Sequence, residues 1–127
     1  MEVRLEPKYG LLTLAWLATI AWLSSRPDLG TSESSPLVAR VSNLMHVPLF
    51  AGLAYCLLKT LPAGGQTSWP RSGIVFLVAT GFAALDEWHQ SLVPGRFASV
   101  SDFLLDIIGV VAVILILHFR SLREANP

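Results

Sequence analysis

Four long apolar stretches separated by short polar segments set the pattern of this chain. They cover about residues 9–25, 41–61, 73–93 and 102–119. A helix needs roughly 20 mainly apolar residues to cross a bilayer, and about 17 suffice. The intervening segments are rich in Pro, Gly and Ser, as is typical of loops. The apolar runs lack the alternation of a transmembrane barrel strand, so the pattern predicts an all-α bundle of four transmembrane helices.

Composition favours one membrane domain. Hydrophobic residues make up 53% of the 127 residues and charged residues only 14%, which lies outside the usual soluble range. We therefore expect residues 1–127 to form a single domain in a lipid bilayer. Basic and acidic residues balance at 9 each, so no net charge attracts the chain to nucleic acid. The one cysteine, Cys56, has no partner for an internal disulfide.

The first apolar stretch follows Arg4 and Lys8, as the apolar core of a signal peptide would follow its basic residues. Cleavage after Ser24 or Ser25 would require a small residue two positions earlier, where the chain has Trp22 or Leu23. We therefore expect the stretch to be retained as a membrane helix.

Basic residues beside the apolar stretches predict the orientation. Four crossings place the N-terminus, the middle loop and the C-terminus on one side, with six basic residues against three on the other. The six are Arg4, Lys8, Lys59, Arg71, Arg120 and Arg123, and the three are Arg26, Arg40 and Arg96. The positive-inside rule then predicts a multi-pass protein of the cytoplasmic membrane with both termini cytoplasmic. Trp22 and Trp88 are expected at the outer interface and Trp69 at the inner one.

In this topology the polar residues inside the helices gather at the outer face. They are Asn43 and His46 on the second helix, Asp86, Glu87, His89 and Gln90 on the third, Arg96 in the turn, and Asp102 and Asp106 on the fourth. A charged residue at the centre of a lone membrane helix costs roughly 2.5–3.5 kcal/mol on insertion scales. Four carboxylates must therefore face protein or water, and we expect Arg96 to be their counter-ion.

Helical spacing limits how these side chains point, because residues three or four apart share a face. The aligned pairs are Asn43 with His46, Asp102 with Asp106, and Gln90 with both Asp86 and Glu87. Asp86 and Glu87 are adjacent, so one is expected to face inward and the other an interface or a neighbouring helix.

Some of these residues also have simpler structural explanations. Asp102 would suit the first turn or the N-cap of the fourth helix, where Ser101 competes as the cap. His46 would satisfy a backbone carbonyl freed by Pro48. Asp106 lies one turn deeper, where capping does not explain it, and Gly109 below it would permit close helix packing.

A dense motif spans the end of the third stretch and the start of the fourth. Residues 86–96 read DEWHQSLVPGR, and Ala98, Ser99, Asp102, Asp106 and Gly109 follow. The motif combines an Asp-Glu pair, a glutamine, Pro-Gly-Arg, two acids one turn apart and a glycine. It resembles the signature of the VanZ-like family of small bacterial membrane proteins.

Two further segments extend the resemblance to about residues 10–118. Residues 22–26, WLSSR, are similar to the serine pair that closes the family's first helix, and His46 stands at the family's histidine position. Asn43 and Phe50 replace a lysine and a tyrosine that many members carry. The missing lysine removes a cation from the polar site.

The resemblance implies a link to the cell envelope, because the family is named for a protein that confers low-level resistance to the glycopeptide teicoplanin. One hypothesis is therefore a non-enzymatic envelope protein whose outer polar site changes glycopeptide access to the surface. Its partners would be a lipid-linked cell-wall precursor or the glycopeptide itself.

A second hypothesis is a membrane enzyme acting on a lipid-linked or phosphorylated envelope precursor. Its candidate catalytic residues are Asp86, Glu87, Asp106 and His46, and a divalent cation would bind Asp102, Asp106 and Glu87. No HExxH, GxSxG or cysteine-rich zinc pattern supports it.

Two other possibilities remain open. An ion-coupled carrier with only four helices and no inverted repeat would have to be an oligomer. Alternatively, the polar residues only hold the helices together through interhelical hydrogen bonds.

Overall fold

The computed structural model describes residues 6–27, 35–61 and 68–126. Four helices lie in these ranges, and the same ranges contain no strand. The helices are α1 (Pro7–Ser24), α2 (Pro36–Thr60), α3 (Trp69–Leu92) and α4 (Val100–Ala125). The prediction of an all-α fold with four helices is therefore confirmed.

The helices begin earlier than their apolar runs. α2 begins at Pro36, five residues before the predicted start, and α3 begins at Trp69, four residues before it. A proline lies in the first turn of α1, α2 and α3, where the missing N–H has no helical partner to lose. α4 also continues past residue 119 to Ala125. Hydropathy marks only the apolar part of a helix, so the predicted bounds omitted these polar end turns.

Two of the helices, α2 and α4, are long and apolar enough to cross a membrane. Among the described residues, α1 and α3 are not apolar enough over a comparable length. α1 includes Lys8 and Thr13, and the last turns of α3 include Asp86 and Glu87, which lower the mean hydropathy. The crossing of a membrane by all four helices thus stays a prediction.

α2 occupies the centre of the bundle. It contacts α4 most extensively and also packs on α1 and α3. A Cβ atom at Gly109 of α4 would collide with the carbonyl oxygen of Val47 on α2. Glycine therefore lets the two backbones approach closely, as predicted. Side chains such as Phe50, Leu53 and Val110 fill the core beside this crossing.

Contacts at the helix ends show that successive helices run in opposite directions. Thr13 near the start of α1 bonds to Thr60 at the end of α2, with 3.1 Å between the hydroxyl oxygens. Ser24 at the end of α1 contacts Asp86 near the end of α3. We call the end that contains Ser24, His46, Glu87 and Asp102 the polar end. The opposite, basic end carries Lys8, Lys59, Arg71, Arg120 and Arg123, while Arg4 lies outside the described residues.

Candidate functional site

A chain of hydrogen bonds joins α1 to α3 at the polar end. The Ser24 hydroxyl donates to Oδ1 of Asp86 at 2.5 Å. The other oxygen of that carboxylate accepts from the Gln90 side-chain amide at 2.9 Å. Gln90 is one helical turn after Asp86, so both side chains lie on the face of α3 that is turned toward α1. All three side chains are buried.

Arg96 completes this chain, although not as the predicted counter-ion. It donates to Oε1 of Gln90 at 3.0 Å and to the backbone carbonyls of Leu23 and Arg26 at 3.3 and 3.1 Å. Within the described ranges no carboxylate lies at ion-pair distance from its guanidinium. The Leu23 carbonyl also accepts from the backbone N–H of Arg26, so Arg96 is a second donor to the chain turn that ends α1. Arg96 therefore fastens the α3–α4 turn to the end of α1.

The second group of polar side chains lies between α2 and α4. Nδ1 of His46 is 2.8 Å from Oδ1 of Asp106, and Nε2 is 4.0 Å from Oδ2 of Asp102. Asp106 is completely buried and His46 is 7% exposed. The ring of His46 is thus engaged by α4 and not by a carbonyl freed at Pro48. The close α2–α4 crossing at Gly109 brings these side chains together.

Glu87 joins this second group from α3. Its Oε2 accepts a 2.7 Å hydrogen bond from the backbone N–H of Ser99. Ser99 is also the N-cap of α4, because its hydroxyl accepts from the N–H of Asp102. Ser101, the predicted competing cap, lies inside the helix. The adjacent acids Asp86 and Glu87 therefore serve different neighbours, α1 and α4, as their spacing required.

Three carboxylate oxygens of this group have no hydrogen-bond partner among the described residues. They are Oε1 of Glu87, Oδ1 of Asp102 and Oδ2 of Asp106, and each is inaccessible to solvent. Buried polar atoms in folded proteins almost always have a partner, so exceptions need an explanation. We refer to His46, Glu87, Asp102 and Asp106 as the acidic cluster.

Two predicted residues lie away from both groups. Asn43 is exposed on α2 and makes no hydrogen bond with a described residue, although it is three positions before His46. His89 is half-buried, and its Nε2 lies 2.9 Å from the hydroxyl of Ser25 at the edge of the α1–α3 contact. The structure therefore brings together seven of the nine predicted side chains, in two groups.

A cavity of about 380 Å³ lies between α1 and α2 beside both groups. Its apolar wall comes mainly from α2 and is exposed at Leu37, Val41 and Met45. The polar side chains in its lining are Ser24, Ser42, His46, Asp86, Gln90 and Arg96. The cavity therefore has an exposed apolar wall on one side and buried hydrogen-bonding groups on the other.

Ser24 and Ser99 belong to the site but were not among the predicted site residues. Both stand in the segments that resemble the VanZ-like family, WLSSR and the residues after Pro-Gly-Arg. That resemblance was the signal that would have found them. Their hydroxyl and backbone contacts depend on where the helices end, and the hydropathy pattern does not predict those ends.

These features define a small helical protein with two helices apolar enough to cross a bilayer and with buried polar side chains at one end. The model of the VanZ/LLP1 family matches residues 4–121, and the chain belongs to that family. No curated protein and no solved structure matches the chain.

Proposed function

We propose that this protein crosses the cytoplasmic membrane four times and binds an anionic, lipid-linked envelope precursor from the outer leaflet. The observation that carries the proposal is the cavity between α1 and α2. One of its walls is apolar and exposed, as an acyl or polyprenyl chain requires, and the opposite wall presents buried polar groups.

Exposed apolar side chains on α1 and α3 support four crossings. Leu11 and Leu14 of α1 are 70% and 64% exposed, and Leu77 and Leu85 of α3 are 71% and 55% exposed. The ionisable groups of the acidic cluster are buried instead. A bilayer favours a protein with apolar side chains on its surface and ionisable side chains in its interior, whereas water does not.

The distribution of basic residues supports an outward-facing polar end. Lys59, Arg71 and Arg120 lie at the opposite end, which the positive-inside rule assigns to the cytoplasm. Trp22 and Trp88 are exposed at the polar end and Trp69 at the basic end, as aromatic residues at two membrane interfaces would be.

Arg96 makes the cavity suitable for an anionic head group. Arg96 lines the cavity, and its guanidinium has no carboxylate partner among the described residues. A guanidinium has five N–H donors, and Arg96 uses three of them on Leu23, Arg26 and Gln90, so donors remain for phosphate oxygens. The Ser24 hydroxyl and the Gln90 amide in the same wall both donate to Asp86. A precursor held there would be shielded from a glycopeptide such as teicoplanin, which would connect binding to low-level resistance.

The pair of His46 and Asp106 favours a second candidate, an enzyme acting on the same precursor. A carboxylate on Nδ1 orients the imidazole and leaves Nε2 available for proton transfer. A network that only pinned the helices would leave fewer carboxylate oxygens without partners than this acidic cluster has.

Binding can be measured with the full-length protein in phosphatidylcholine nanodiscs. The probes are a polyprenyl diphosphate and the uncharged polyprenol of the same chain length. We expect the diphosphate to bind at least about tenfold more tightly, a difference of roughly 1.4 kcal/mol from the head group. Val41→Trp should block the cavity and abolish binding. Leu44→Trp, on the exposed face of the same helix and outside the cavity lining, should bind as the wild type does.

Equal binding of the two probes, or unchanged binding by a folded Val41→Trp protein, would contradict the proposal. Mass spectrometry of the recovered lipid separates the two candidates. An intact diphosphate after prolonged incubation indicates binding alone, whereas loss of phosphate that stops in Asp106→Asn indicates an enzyme. In cells, the binding proposal predicts that expression of the wild-type protein changes teicoplanin susceptibility. Expression of the Val41→Trp variant should leave susceptibility unchanged.

A further inference from the structure

The His46 imidazole is held in the orientation of a metal ligand. Its Nδ1 lies 2.8 Å from Oδ1 of Asp106. When Asp106 is ionised its carboxylate can only accept, so Nδ1 is the donor. In the neutral ring Nε2 then keeps a free lone pair. A histidine that binds a metal through one nitrogen almost always donates from the other to a carboxylate, a carbonyl or water. Asp106 has this supporting position.

Two carboxylates lie near the His46 ring. Nε2 is 4.0 Å from Oδ2 of Asp102, which is too far for a hydrogen bond. One donor atom from each of His46, Glu87 and Asp102 lies within 4.8 Å of the others. The three donors come from α2, α3 and α4, so they enclose a point where these helices meet.

The oxygens without partners point to a ligand at this place. Glu87 is 8% exposed and Asp102 is 9% exposed, and each has one solvent-inaccessible oxygen that accepts no hydrogen bond from the described residues. No lysine or arginine forms an ion pair with the cluster in the described part of the chain. Burying several carboxylates without a cation is unfavourable in a low-dielectric environment.

We propose that His46, Glu87 and Asp102 bind one divalent transition-metal ion. Asp106 positions the imidazole from the side opposite the ion. One nitrogen and two carboxylates suit Zn²⁺ or Mn²⁺ better than Mg²⁺ or Ca²⁺, which prefer oxygen ligands alone. Three protein ligands also leave a coordination position free for water or a bound group. His46 lines the cavity, so that position lies beside the proposed binding place of the precursor.

The cation site does not depend on the identity of the lipid, so it is tested without any precursor. The full-length protein in phosphatidylcholine nanodiscs is stripped with a chelator and titrated calorimetrically with Zn²⁺, Mn²⁺, Mg²⁺ and Ca²⁺. Bound metal is then counted by elemental mass spectrometry. We expect one Zn²⁺ or Mn²⁺ per chain, and little competition from Mg²⁺ or Ca²⁺ at the same concentration.

Matched variants assign the binding to these residues. Glu87→Gln and Asp102→Asn should each abolish stoichiometric binding, and Asp106→Asn should weaken it by about 10- to 100-fold, as loss of a supporting carboxylate does. Asp86→Asn is the control, because Asp86 is equally buried but is bonded to Ser24 and Gln90.

The proposal is overturned if the folded wild-type protein binds none of the four cations, or if Glu87→Gln and Asp102→Asn bind as the wild type does. An equal loss in Asp86→Asn, or equal affinity for Mg²⁺, would also overturn it. Nanodisc elution and thermal unfolding establish that each variant is folded. If the stripped protein holds the diphosphate lipid but no cation, the proposed function stands and the cation site fails.

Discussion

The buried hydrogen bond between His46 and Asp106 joins residues 60 positions apart in the chain. Both side chains are buried, so each depends on the other as a polar partner. Asn43 lies on the same helix as His46 but is exposed. A difference of three positions along α2 thus separates a side chain of the acidic cluster from one outside it.

The contrast between these two positions predicts different effects on stability. His46→Ala should lower the free energy of unfolding by about 1–2 kcal/mol, because it leaves the Asp106 carboxylate without its partner in the helix interface. Asn43→Ala should change it by less than about 0.5 kcal/mol, as is usual at a surface position. Reversible unfolding in mixed micelles measures both. Equal effects would show that the His46 contact adds no stability.

At the scale of the helix, the crossing of α2 and α4 depends on a residue without a side chain. Gly109 lies against the backbone of α2 at Val47, one turn below Asp106 on α4. Close approach of the two backbones keeps Asp106 within reach of His46. The end of α1 depends on a different element, because Arg96 from the α3–α4 turn bonds to the carbonyl of Leu23 in the last turn of α1 and to that of Arg26 just after it.

The crossing can be tested by adding one methyl group. Gly109→Ala should destabilise the protein by about 1–3 kcal/mol, the usual effect of overpacking, because its Cβ would displace the carbonyl of Val47. Gly81→Ala on α3 is the matched control, since nothing lies within 4 Å of the added Cβ. The control should keep or slightly increase stability through better helix propensity. Thermal unfolding of both proteins in detergent would decide, and a tolerated Gly109→Ala would refute the close crossing.

For the whole molecule, the antiparallel order of the helices places polar and basic groups at opposite ends. The acidic cluster lies at the end where α1 and α3 finish and where α4 begins. Arg120 and Arg123 lie at the far end of α4. The fold therefore fixes which residues share a side, and the membrane decides which side faces out.

Labelling of introduced thiols tests this orientation. In a Cys56→Ala background, Phe97→Cys places a thiol in the α3–α4 turn, at a position that is 79% exposed. A membrane-impermeant maleimide should label it in intact cells. Arg123→Cys at the basic end should react only after the membrane is permeabilised. The reverse pattern would place the polar end in the cytoplasm, and labelling of both in intact cells would contradict four crossings.

The sequence predicted much of this arrangement because its strongest signals are local. Apolar runs of helical length depend only on neighbouring residues, and they located all four helices. Burial of Asp86, Glu87, Asp102 and Asp106 also follows locally, because a carboxylate in an apolar helix has few acceptable environments. The polar end turns of α2, α3 and α4 were missed, because they carry helical but not apolar residues.

The contacts within the site were decided only by the tertiary structure. Whether Arg96 pairs with a carboxylate or with the end of α1 depends on where two helices distant in sequence stop. The roles of Ser24 and Ser99 depend on the same positions. Rotation of α2 about its axis selects His46 and leaves Asn43 outside. Helical periodicity predicts which residues of α2 share a face. Packing against α4 decides the direction in which that face points.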